Sequence, residues 1–424
     1  MKAKVIINNI AKAIFLFSSF TVWFALTPYL RWNIFLILLL CGVNAILYLS
    51  LPKLSLPKDS FVENVIMIML VVIISLSFIF NIIFNPHPKL LSNFLGMLVV
   101  IVVFYFYYNA VIYSYIKTDL IIKWCAYGGV LVILISVLDG VLANFFNIRI
   151  HDWFVYGFPG NASYFDRAIW SSPCSPCVEP AETALYINCL FPFCLYYFKG
   201  IKKYYLIILY IFCIFELFSS AGIFTMITGA LFYLYMTQPK MKMFTILGVI
   251  FFFLLLLVIY YSESVSYYLE QLAFVEKITL SGETASDSDR SDAWAKAIAD
   301  GLKSPFLGNG PGYGKDTRET GYLSLFLLML GDYGIIAFLL FIVFWFLLWY
   351  KTFLIKGRIR VYIILSFYSV TIAALLGDTS NSFVQWLLIP IIYKFYNNSK
   401  YSLIPVKYVV KILLKGNNVD FKVK

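Results

Sequence analysis

Charge is scarce in this chain. Only 13% of its 424 residues are Asp, Glu, Lys or Arg, where a soluble domain carries about a quarter. With 62% hydrophobic residues, it lacks the polar groups to clothe a set of water-soluble domains. Histidine is scarcer still. His87 and His151 are the only two, and neither stands in a cluster with ligand spacing, so neither a metal nor a cofactor is expected. A nucleotide loop is missing too. The glycine-rich run ending at Gly314 continues into Lys315-Asp316, where a phosphate-binding loop needs Ser or Thr, and no strand precedes it. No internal repeat of the kind that builds many transporters is visible. Five of the seven cysteines lie in or beside apolar runs, as small buried hydrophobes do. Cys174 and Cys177, in Cys-Ser-Pro-Cys, have a disulfide open to them, but a thioredoxin-like role lacks its βαβ context.

Long apolar runs are what the chain has instead. Twelve are readable, at about 11–29, 33–51, 61–84, 91–115, 121–146, 181–198, 204–219, 222–237, 243–262, 322–350, 359–377 and 381–396. Lipid offers no partner to an open backbone, so each span must be helical. The expected fold is all-α: a polytopic transmembrane helical bundle of about 12 spans, with residues 1–424 forming a single integral-membrane domain.

The few charges are sorted. Of the 33 Lys and Arg residues, 23 fall in every second gap between runs, and most of the 22 acids fall in the others. That is the positive-inside pattern. It places both termini in the cytoplasm and explains the net charge of +11 as topology, with no nucleic-acid partner. The first run lacks a small-residue cleavage site and reads as a retained span. In the basic tail, 397–424, Lys407, Lys411 and Lys415 recur at helical spacing. This suits either a short helix on the inner lipid surface or a solvated tail.

Two outward loops are too long to be mere connections, about 147–180 and 263–320. The first carries Arg149, His151, Asp152, Asp166, Arg167 and Glu179-Pro180-Ala-Glu182. Pro180 suits the first turn of a helix. Glu179 there is either a general base, a partner for Arg167, or an acid satisfying the helix dipole. In the second loop, Ser286-Asp-Ser-Asp289-Arg290-Ser-Asp292 reads as a helix start with Asp289 as N-cap. The spacing predicts Arg290, Trp294, Ala297 and Ile298 on one face, with Arg290 in the first turn, suited to a phosphate or diphosphate. Gly308, Gly310, Gly312 and Gly314 then allow close backbone approach to a ligand or sharp turns. Asp139, Glu216, Asp332 and Asp378 are acids near the outer ends of spans, each a candidate for function or for structural pairing.

Arg290-Ser-Asp-Ala-Trp294 followed by Lys303-Ser-Pro305-Phe-Leu-Gly308-Asn-Gly310-Pro-Gly312 resembles the Arg-x-x-x-Trp and small-Pro-x-x-Gly-x-Gly segments of the O-antigen polymerase and ligase superfamily (Wzy and WaaL). Arg167 leading to Val178-Glu179-Pro180 is similar to many polymerases, and the two long loops match the Wzy layout. Arg149 with Gly160, and Arg290 with Gly301, fit the Arg-ten residues-Gly pattern of these loops. Two departures stand out: Ser219-Ser220 where the family often has Ser-Arg, and Thr320-Gly321 where ligases carry His-Asn.

The resemblance implies a metal-independent glycosyltransferase of the bacterial inner membrane, polymerising undecaprenyl-diphosphate-linked repeat units at the periplasmic face. Donor and acceptor would both be lipid-linked, and a chain-length regulator is the expected partner. Arg290, Arg167 and Glu179 are the catalytic candidates. Arg149, Trp294, Gly308, Gly310, Gly312 and Glu216 are the substrate-binding ones. The alternatives are an O-antigen ligase transferring glycan to lipid A-core, and a lipid-linked oligosaccharide flippase or other transporter.

Overall fold

A computed structural model describes residues 2–21, 31–47, 51, 53–150, 165–166, 171–177, 179–238, 285–318, 321–377 and 383–401. Among these the architecture is helical, apart from one two-residue antiparallel ladder, β1 (Phe165–Asp166) with β2 (Ser171–Ser172). The helices are α1 (Lys2–Leu16), α2 (Trp32–Ile46), α3 (Phe61–Phe84), α4 (Leu90–Tyr115), α5 (Thr118–Phe146), α6 (Pro180–Tyr197) and α7 (Ile201–Glu216). They continue as α8 (Ser220–Thr237), α9 (Ala285–Lys303), α10 (Tyr313–Thr317), α11 (Leu325–Leu354), α12 (Ile359–Leu376) and α13 (Phe383–Tyr401).

Six of them, α3, α4, α5, α8, α11 and α12, are long and apolar enough to cross a membrane. Their surface chemistry agrees. Helix α3 buries Glu63, Met67, Leu70, Ile74, Ser77 and Asn81 along one stripe and leaves Ile68, Val72, Ile79 and Ile83 exposed. A helix with its polar groups inside and an apolar outer face is matched to lipid and would be an aggregation surface in water. The twelve expected spans are thus matched only in part: at other expected positions the described helices are shorter or more polar. Helix α1 spans Lys2–Leu16, earlier than the expected 11–29, and α2 has 15 residues. Helices α6 and α13 each interrupt their apolar sequence with an internal proline, Pro192 and Pro390. The expected span at 243–262 and the 405–415 surface helix lie outside the described residues.

Helix α4 is wound as a π-helix through Val100–Tyr108. This turns Tyr105 and Tyr108 fully inward, with the Tyr105 hydroxyl 2.9 Å from Asn64 of α3. At the lysine-rich end, charges are paired, buried at Lys351 and exposed at Lys400. Lys351 of α11 reaches Glu63 and the backbone carbonyl of Asp59, and Lys400 of α13 reaches the Asp59 carboxylate. Lys394 of α13 donates to the carbonyls of Ile112, Tyr113 and Ile116, which close the end of α4. A cation over carbonyls at a helix C-terminus adds to their hydrogen bonding and complements the helix dipole.

Helix α11 is broken once. Gly334 adopts φ 84°, ψ 178°, and the freed N–H of Ile335 is taken by the carbonyl of Pro305 at 2.7 Å. The segment between α9 and α10 thus docks into the gap in a span.

Candidate functional site

Three separate stretches bring charge to bear on one corner of the bundle: the end of α1 with the start of α2, the start of α6, and the N-terminal half of α9. Glu182, in the first turn of α6, holds Arg31 at 3.2 Å through Oε1 and accepts from the Thr21 hydroxyl at 3.1 Å through Oε2. Thr21 is fully buried, and its segment is anchored beneath α6: Asn33 Nδ2 donates to the Ser18 carbonyl at 3.2 Å, and Cys177 Sγ donates to that of Ser19 at 3.1 Å.

Glu179 stands one turn before Glu182, at the N-cap of α6, with Pro180 opening the helix as expected. Its side chain makes no capping hydrogen bond, so the carboxylate is not spent on its own helix. It is exposed by area, yet protein mass crowds it, and this crowding together with the Glu182 charge raises its pKa. The charges of Arg31 and Arg290 reach it and pull in the other direction. An acid that is neither capping a helix nor locked into a pair, with two guanidinium groups in range, is what proton transfer beside an anion requires.

Arg290 arrives on α9, but not where the capping pattern put it. The helix starts at Ala285, so Asp289 is a helical residue and Arg290 belongs to the second turn. Arg290 is therefore not in the first turn, where free backbone N–H groups would add to an anion site, and its guanidinium is what remains. The buried face also differs from the expected one. Ala293 and Ala297 are fully buried, Arg290 and Trp294 are half-buried, and Ile298 points outward. Trp294 Nε1 lies 3.5 Å from the Leu323 carbonyl, and Gly301 crosses α11 so closely that a Cβ there would stand 2.6 Å from Leu330.

The glycine run serves this protein's own packing. Gly308, Gly310 and Gly312 all have positive φ. A Cβ on Gly308 would meet the Asp332 carbonyl at 2.3 Å, on Gly310 Leu90 and Asn81, and on Gly312 Asn93. Asp332 organises the loop: its carboxylate accepts from the N–H groups of Gly312 and Gly314 at 2.8 and 3.0 Å, and its carbonyl from that of Gly310. His87 closes the far side against Asp316 of α10, whose Oδ2 also accepts from the Lys89 N–H. Asp332 is thus a structural anion, and the close approach the glycines permit is to α3, α4 and α11.

Glu216 ends α7 in a second acidic corner beside Asp139. It is buried against Gly140, where a Cβ would collide with its carboxylate, and neither of its oxygens accepts a hydrogen bond. Asp139 accepts from the Ser175 N–H at 3.3 Å. Ser219, where the family often continues Ser-Arg, caps α8 by accepting from the Gly222 N–H. Arg149 is half-buried just beyond the left-handed Asn147 that ends α5. Cys174 and Cys177 are both buried, and the structure places no disulfide between them. Burial pushes the Cys177 thiol well above its ordinary range, which keeps it protonated.

Arg167, His151, Asp152, Gly160 and Asp378 lie outside the described residues. Sequence reasoning missed Arg31 and Glu182. The signal for Arg31 was available, since it is a cation in a short gap of the set that carries few cations. Glu182 was visible only as a helix-start acid.

Comparison with known proteins finds no family model that matches this chain and no curated protein significantly similar to it.

Proposed function

We propose that this chain is a membrane glycosyltransferase that polymerises polyprenyl-diphosphate-linked oligosaccharide units on the outward face of the inner membrane. The observation that carries the proposal is that the charges of Arg31 and Arg290, brought from two segments distant in sequence, both reach Glu179, with Arg31 held by Glu182.

In this reading the acceptor sugar hydroxyl gives its proton to the Glu179 carboxylate as its oxygen bonds to the donor's anomeric carbon. The bond from that carbon to the diphosphate oxygen breaks, and the polyprenyl diphosphate departs with the electron pair. Arg290 and Arg31 stabilise the charge that develops there, which is where preorganised cations contribute most. The raised pKa of Glu179 makes it a stronger base than an ordinary carboxylate. Glu182 holds Arg31 in place and leaves Glu179 as the carboxylate free to accept a proton. Arg167 is assigned to the same leaving group, and Arg149 and Trp294 to glycan binding, on the family resemblance. A chain-length regulator is the proposed partner.

The test is deletion of the gene in its host, followed by electrophoresis of surface glycolipids. Core carrying a single repeat unit supports the polymerase. Bare core with long glycan still on the lipid carrier makes the protein a ligase, and single units trapped on the cytoplasmic face make it a flippase. Either of the last two outcomes overturns the proposal.

A further inference from the structure

Helices α6, α7, α8 and α12 enclose a cavity of about 620 Å³ that takes no part in the charged corner. Its walls are mostly apolar. Ile211 and Phe215 line it and are also exposed on the outside of α7, so the cavity is continuous with the lipid-facing side of the bundle. Its polar wall groups are already satisfied. The Tyr210 hydroxyl donates to Asn188 at 2.5 Å, Asn188 Nδ2 donates to the Gly222 carbonyl, and the Ser369 and Thr225 hydroxyls donate to carbonyls of their own helices. The remaining polar wall group, Tyr233, reaches Tyr362. Lys203 is different. It is half-buried at one end of the cavity, with exposed Lys199 and Lys202 beside it, and no acid among the described residues pairs with it.

A lysine whose stem runs along apolar wall while its ammonium stays at the boundary is placed to hold an anion there. From Lys203 to Phe215 the cavity follows α7 for about 18 Å, close to one leaflet of a hydrocarbon core roughly 30 Å thick. A void of this size cannot stay empty beside fluid hydrocarbon, because its lining would forgo dispersion contacts. The dimensions suit one fatty-acyl chain and fall well short of a long isoprenoid.

We propose that this cavity binds one anionic glycerophospholipid, with an acyl chain among α6, α7, α8 and α12 and the phosphate on Lys203. The lysine pattern assigns that end to the cytoplasm, so the lipid would come from the inner leaflet. The inference does not depend on the transferase reading.

Native mass spectrometry of the full-length chain in detergent tests it, with dipalmitoyl phosphatidylglycerol and dipalmitoyl phosphatidylcholine as probes. One phosphatidylglycerol should be retained at least about fivefold better than phosphatidylcholine, the order expected of one lysine–phosphate contact at a membrane surface. Lys203→Gln should abolish that preference, and Lys202→Gln should leave it. Gly229 lines the cavity with nothing within 4 Å of a Cβ, so Gly229→Phe fills it without backbone collision and should lower retention of both lipids. Equal retention of the two lipids overturns the proposal, as does a preference untouched by Lys203→Gln or retention untouched by Gly229→Phe. Displacement of phosphatidylglycerol by equimolar undecaprenyl phosphate would assign the cavity to an isoprenoid lipid and overturn it equally.

Discussion

The glycine loop at 304–314 and the charged corner at Glu179 use polar groups in opposite ways. In the loop, donors meet acceptors of the same chain: Asp332 takes three backbone N–H groups and Asn309 Nδ2 bridges the carbonyls of Asp300 and Gly331. At the corner, the Glu179 carboxylate does not cap its own helix and is held in a balance between one like charge and two opposite ones. A satisfied network fixes geometry, whereas an unsatisfied group is available for chemistry. The contrast teaches that the most conspicuous run of residues need not be the reactive one.

The comparison is open to attack at both ends. The largest effect is expected in the loop. Gly308→Ala puts a Cβ against Asp332 backbone at positive φ and should cost roughly 3 kcal/mol or more in detergent unfolding. Gly312→Ala, which meets only the Asn93 side chain, should cost clearly less. Equal costs would mean that the loop is not clamped as described. Next comes Arg290→Lys. If the guanidinium supports a leaving diphosphate, polymerisation should fall about a hundredfold with an unchanged melting temperature. Wild-type glycan lengths from a well-expressed variant would remove Arg290 from the mechanism.

Glu179 gives an effect that depends on pH. Its pKa is raised, so the proton-free base appears at higher pH than for an ordinary carboxylate. Activity should therefore rise with pH through that raised value and be lost as pH falls through it. Glu179→Gln should flatten this limb, and a wild-type profile from that variant would reject the base assignment. Glu182→Gln should have a smaller effect, about tenfold on turnover, by loosening Arg31. An Arg31→Lys, Glu182→Gln double variant no worse than either single one would show the two acting as a unit. The smallest effect is at the Cys-Ser-Pro-Cys turn, where Cys174→Ser should leave mobility on a non-reducing gel and glycan length unchanged.

Much of the scaffold was legible from the residues. Apolar runs gave the helix positions, because no other backbone arrangement survives in lipid, and Pro180 marked the start of α6. The boundaries failed where tertiary contacts overrule local signals. Asp289 has the chemistry of a cap, but α9 continues one turn further toward its N-terminus. The glycines advertised close approach without saying to what, since Asn81, Asn93 and Asp332 are remote in sequence. Glu179 was legible as one of several alternatives, and only its empty capping geometry separates them. Arg31 could be flagged as a cation out of place in its gap, but its meaning comes from Glu182, 151 residues away.

The close crossing at Gly301 has a mechanical consequence. Arg290 stands eleven residues from it, at the tip of a helical arm about 16 Å long whose root is set into α11. An arm of that length turns a 10° swing at the root into roughly 3 Å at the tip, enough to lose a hydrogen bond. The Trp294 contact with Leu323 is a second bearing along the same arm. Together they make the arginine's reach a property of another helix, so that the tilt of α11 sets the aim of a group carried on α9.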